Sequence, residues 1–171
     1  MQKKLLSLVL MLIAAINIFA YDFESNGIYY KILSKENRTC TVTSQPNTTG
    51  KKYTGSIVIP STVQDNNGED YTVTGIGDYA FMGCEHIENI NIPESVTAIS
   101  NSAFYYLRLF YDIMPGSLRI NIPAGVKILD ANALPGCYEI CYRGTSADWE
   151  NIQNHETVHG DVICNDGIKC E

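Results

Sequence analysis

Residues 155 to 159 read His155-Glu156-Thr157-Val158-His159. On an α-helix this spacing puts two imidazoles on one face with a carboxylate between them. Such a pair binds zinc, and the glutamate serves as general base in hydrolysis. The surroundings oppose that reading. Asn154 precedes the first histidine, and Thr157, Val158 and Gly160 favour loop or strand over helix. Val162 stands where the longer metalloprotease pattern requires glycine, and only Asp161, Asp166 and Glu171 follow as third ligands. A zinc hydrolase through His155, Glu156 and His159 is therefore the minor alternative. The expectation is a chain that is not an enzyme, with no metal and no cofactor.

Other reactive residue types form no catalytic set. Asn37-Arg38-Thr39 and Asn47-Thr48-Thr49 match the glycan-acceptor pattern, but they read equally as polar loop residues. No serine–histidine–acid arrangement and no phosphate-cradling glycine loop stands out. The six cysteines lie at 40, 84, 137, 141, 164 and 170. Cys164 and Cys170 flank Asn165-Asp166-Gly167 and are candidates for a disulfide across a hairpin, with two buried thiols as the alternative.

Disulfides presuppose export, and the first twenty residues read as its signal. Lys3 and Lys4 form a basic start, Leu5 to Ile16 an apolar run, and Ala20 a small residue before Tyr21. That run is short for a bilayer-spanning helix, which needs about 20 apolar residues. No stable membrane span is expected once residues 1–20 are removed. The remainder carries 10 basic and 19 acidic side chains, a formal charge of −9. Such a surface repels phosphates and argues against nucleic acid as partner.

What must position the remaining residues is a repeat. Ile57-Val58-Ile59-Pro60 resumes after an insertion as Val73-Thr74-Gly75-Ile76-Gly77-Asp78-Tyr79-Ala80-Phe81-Met82-Gly83-Cys84. Ile90-Asn91-Ile92-Pro93 leads to Val96, Ile99, Ala103-Phe104 and Leu107. Ile120-Asn121-Ile122-Pro123 leads to Val126, Ile128, Ala133-Leu134 and Cys137. Both the second and third units run ten residues from proline to alanine, and Ala80 and Ala103 lie 23 apart. A unit of that length cannot bury its own core and must stack on its neighbours.

The Ile-x-Ile-Pro stretch suits a short strand ended by a residue that cannot donate to the ladder. Ile57, Ile59, Ile90, Ile92, Ile120 and Ile122 are expected inside. Ser56, Val58, Asn89, Asn91, Arg119, Asn121 and Glu139, with Cys141, are expected on the exposed face of a stacked parallel sheet. Cys84 and Cys137 share a repeat position two rungs apart, about 10 Å, and read as buried thiols. Gly27 to Leu33 and Thr39 to Ser44 read as a hairpin covering the first repeat. Thr145-Ser146-Ala147-Asp148 reads as a capping box that carries Trp149 and Ile152 inward.

The pattern Ile-x-Ile-Pro-x-x-Val followed by Ile-Gly-Asp-Tyr-Ala-Phe-x-x-Cys resembles the BspA-type leucine-rich repeats of bacterial surface and secreted proteins. The resemblance takes in Asn26 to Ile32 as an opening strand, Tyr71 to Thr74 as a hairpin insertion, Tyr142 to Trp149 as a closing unit and Cys164 to Gly167 as a final hairpin. It implies a mostly-β solenoid with an N-terminal hairpin cap and a C-terminal helix and hairpin cap. The expected organisation is a signal peptide at 1–20, a β cap at 21–55, a repeat array at 56–142 and a C-terminal cap at 143–171. It also implies a secreted or cell-surface binding module that recognises extracellular protein or glycan through the sheet face. A structural envelope scaffold is the alternative. Ala133-Leu134 in place of Ala-Phe, an irregular stretch at Phe110 to Gly116 and the shortness of the array are departures.

Overall fold

The computed structural model describes residues 21–46, 52–105, 119–130, 132–134, 139–158 and 161–170. The expected signal at 1–20, Asn47-Thr48-Thr49, Leu107, Phe110 to Gly116, Cys137 and His159 lie outside the described residues.

Alternating Ile-x-Ile segments form the first sheet. Its strands are β4 (Thr54–Val58), β7 (His86–Asn91), β9 (Arg119–Ile122), β11 (Glu139–Tyr142), β12 (Asp161–Cys164) and β13 (Lys169–Cys170), in the order β13-β12-β11-β9-β7-β4. All neighbours pair in parallel except the β12–β13 hairpin. One register line runs Ile57, Ile90, Ile120, Ile140 and Val162. Ile90, Ile120 and Ile140 on that line are fully buried, as are Ile92 and Ile122 at the strand ends, and Ile59 is 2 % exposed. Ile57 is only partly buried.

A second sheet forms the opposite wall. It contains β1 (Phe23–Ser25), β2 (Ile28–Ser34), β3 (Thr39–Thr43), β6 (Asp70–Ile76), β8 (Ala98–Ile99) and β10 (Ile128–Leu129) in that order, with β5 (Thr62–Gln64) hairpinned onto β6. Each turn of chain thus contributes one strand to each sheet. β3 and β4 belong to one turn, β6 and β7 to the next, then β8 and β9, and β10 and β11. Gln153 adds an isolated parallel bridge to Ile128 at the far end of this sheet. The β2–β3 hairpin lies where expected, and β1 extends it by one further antiparallel strand.

Register corrects one residue of the repeat. Leu129, not Ile128, pairs with Ile99, and Leu129 is fully buried whereas Ile128 is 38 % exposed. The side-chain period of two forces the choice, because a slip of one residue turns an apolar side chain to solvent.

The turns between the sheets stack as well. Phe81 donates its amide to the Ala103 carbonyl at 2.8 Å, and Phe104 donates to the Ala133 carbonyl at 3.1 Å. This aligns Tyr53, Phe81 and Phe104 as a column of rings, with centroids 5.1 and 5.3 Å apart. Ala80, Ala103 and Ala133 are small enough for the turns to approach, and each is at most 2 % exposed. The residue before each alanine is left-handed: Tyr79 at φ 55°, Ser102 at 53° and Asn132 at 56°. Gly125 marks another close approach between turns, since a Cβ there would sit 2.7 Å from the Glu94 carbonyl oxygen.

The closing helix α1 (Ser146–Trp149) begins with the expected capping box. Thr145 accepts from the Asp148 amide, and the Asp148 carboxylate accepts from the Thr145 amide. Trp149 and Ile152 turn inward at 1 % and 3 % exposure. Two bonds from Ser146, through its amide and hydroxyl, reach the Asp166 carboxylate and tie this cap to the last hairpin.

Candidate functional site

Backbone pairing sets the expected binding residues in line across the first sheet. Parallel pairing places Ser56 beside Asn89, Asn89 beside Arg119, and Arg119 beside Glu139. A second line runs Val58, Asn91, Asn121 and Cys141. Ser56, Asn89 and Asn91 are exposed, and Val58 is 64 % exposed. Asn121 and Cys141, towards the middle, are half-buried.

Hydrogen bonds organise the β4–β7 end of this face. The Asn89 side-chain amide donates to the Ser56 hydroxyl at 2.9 Å, which in turn reaches the Glu88 carboxylate at 3.4 Å. Glu88 has room there because the ladder shifts register between Gly55 and Ser56, leaving Glu88 without an opposite residue.

The face is one strand wider than the repeat pattern implied. β12 extends both lines with Asp161 beside Glu139 and Ile163 beside Cys141. Asp161 is exposed and bonded to Lys169 at 2.6 Å, and Ile163 is 43 % exposed. Asp161-Val162-Ile163-Cys164 lacks the Ile-x-Ile-Pro form, so repeat matching passes over it. Its alternation, with Val162 and Cys164 buried between exposed neighbours, was the available signal.

Cys164 and Cys170 sit diagonally across the final hairpin with their sulfurs bonded and Cα atoms 6.6 Å apart. Cys40 and Cys84 are free buried thiols, and Cys141 is a free thiol at the face. Burial pushes the Cys40 thiol up to about 12 and raises that of Cys84.

The described part of the histidine–glutamate motif, residues 155–158, is not on an α-helix. His155–Thr157 forms one 3-10 turn after left-handed Asn154. His155 Nδ1 lies 3.0 Å from the Ile152 carbonyl oxygen, and the ring packs edge-on against Trp149 at 6.4 Å. A 3-10 turn does not place positions four apart on one face as an α-helix does. Among the described residues, no three histidine, cysteine, aspartate or glutamate side chains cluster to hold a metal ion.

A search of curated proteins returns no match. Three solved structures resemble the fold. A leucine-rich repeat protein from Bacteroides capillosus is 27 % identical with a TM-score of 0.45, covering 71 % of this chain and 97 % of its own. A leucine rich cell surface protein from Faecalibacterium prausnitzii is 19 % identical with a TM-score of 0.49, covering 85 % of this chain. A leucine-rich repeat protein from Bacteroides ovatus is 23 % identical with a TM-score of 0.41, covering 83 % of this chain. This chain spans 43 % and 41 % of the latter two. The model of the BspA type leucine rich repeat region matches residues 56–155 in six copies, against the three segments that share the Ile-x-Ile-Pro pattern. With well over half of its residues matched and its strands stacked in parallel register, the chain belongs to the BspA-type leucine-rich repeat family.

Proposed function

We propose that the chain is an exported, non-catalytic module that binds an extracellular protein or glycan on the outer face of its first sheet. Membership of the repeat family suggests a protein-binding or surface module in general terms. No helix among the described residues is long and apolar enough to cross a membrane.

The observation that carries the finer reading is the in-register pair of lines along this face. Ser56, Asn89, Arg119, Glu139 and Asp161 form one, and Val58, Asn91, Asn121, Cys141 and Ile163 the other. Five parallel strands about 4.8 Å apart make a platform roughly 20 Å wide. Amide and hydroxyl groups along it suit hydrogen bonding to a polar partner, and Val58 and Ile163 supply apolar edges. A platform of this size falls below a standard protein interface, so affinity at a single site is modest. The proposed signal at 1–20 and the acidic balance fit an exported partner-seeking module rather than one that meets nucleic acid.

The test is capture of matrix and bacterial-surface proteins and glycans by the purified chain and by a triple variant, Asn91→Ala, Arg119→Ala, Asn121→Ala. Binding at least tenfold weaker in the variant is expected. Equal binding by both removes this face from consideration.

A further inference from the structure

The two sheets end unequally at the N-terminal side. Beyond β3 the second sheet continues through β2 and β1, whereas among the described residues the first sheet stops at β4, the partner of β3 in the same turn. The overhang is two strands, about 10 Å. Beneath it lies a groove of about 370 Å³ lined by Asn26 and Gly27 of the β1–β2 turn, Ile28 at the start of β2, Gln45, Lys52, and β4. Tyr53 braces its back wall: the Tyr29 amide donates to the Tyr53 hydroxyl, which donates to the Thr43 carbonyl.

From this geometry we infer that the outer edge of β4, unpaired among the described residues, accepts an extended polypeptide segment of another protein, which adds a strand to the first sheet. Two observations mark the rung as unfinished. Ile57 is the one described isoleucine on its register line that is not fully buried, whereas Ile90, Ile120 and Ile140 are covered by strands on both sides. The Gln45 side-chain oxygen is buried at the groove without a hydrogen-bond partner. A buried acceptor left unpaired is destabilising, which an incoming amide would offset. An added strand gains main-chain bonds from the edge, and an apolar side chain on it covers Ile57.

A second copy cannot supply that strand from its own β4. To cover Ile57, its core side must face the same way, which brings its own β1–β2 overhang onto the same side. Two overhangs of about 10 Å would then share a gap of about 5 Å. The notch admits only a slender occupant, and its lining of Ile28, Ile57 and the side-chain amides of Asn26 and Gln45 selects an alternating apolar–polar segment.

The experiment is hydrogen exchange of the purified chain with and without a pool of hexapeptides carrying Ile, Val or Leu at alternate positions. Amides of residues 54–58 that exchange freely alone should slow at least tenfold with peptide, and N-methylation of alternate peptide amides should abolish the effect. The Asn91→Ala, Asn121→Ala variant should respond as the parent does, separating this edge from the face proposed above. Protection of those amides without peptide shows the notch already filled, and no slowing at millimolar peptide shows that it takes no strand. Either result overturns the inference.

Discussion

Phe104→Ala removes the last ring of the column that joins successive turns. Phe104 is fully buried, stacked on Phe81 at 5.3 Å and 5° between planes, and held over the following turn by its bond to Ala133. Truncating a buried phenylalanine costs about 3–5 kcal/mol. Loss of the ring pair adds about 1 kcal/mol. A domain of this length holds in all about 8–20 kcal/mol. In a solenoid each turn is stabilised only by its neighbours, so the loss falls at one junction. Turns before and after Phe104 should then unfold separately. Urea titration followed by far-ultraviolet circular dichroism reports all strands, while Trp149 fluorescence reports only the C-terminal cap. The two curves should coincide in the parent and separate in Phe104→Ala. Phe104→Leu copies the next turn, where Leu134 fills the equivalent place, and should cost less than half as much. A loss below about 1.5 kcal/mol for the alanine variant, or equal losses for alanine and leucine, would refute the continuous column.

Tyr79→Asn should stabilise by about 0.5–1 kcal/mol in the same titration, because asparagine tolerates the left-handed backbone that Tyr79 occupies at φ 55° and that Asn132 already serves. Cysteine alkylation at pH 8 should label Cys141 in the folded chain and reach Cys40 and Cys84 only on unfolding, as read by mass spectrometry. The raised Cys40 value also sets an alkaline limit. The folded chain keeps the thiol proton that the unfolded chain loses near 9, so stability is full below that pH and falls as pH rises towards about 12. A Cys40→Ala variant should flatten that decline. Cys164→Ser opens a loop of six residues and should cost about 2 kcal/mol, seen as faster exchange of amides in residues 161–170.

The spacing of isoleucine, proline and alanine was enough to announce stacked parallel rungs, the inward isoleucines and the outward Asn89, Asn91 and Asn121. Those follow from local period, because an alternating strand has only two sides and a 23-residue unit must share its core. The Thr145–Asp148 capping box was equally readable, since both of its bonds lie within four residues. Other features depend on which backbone groups meet across turns. The choice of Leu129 over Ile128, the place of Asp161 and Ile163 as a fifth rung, and the shift that frees Glu88 are set by pairing between residues 22 to 33 positions apart. Adjacent apolar residues look alike in a pattern, and only the ladder decides which faces inward. The overhang of β1 and β2 above an unfinished β4 is of the same kind. Nothing local to either segment states how far the other sheet extends, so only the assembled tertiary structure reveals the notch.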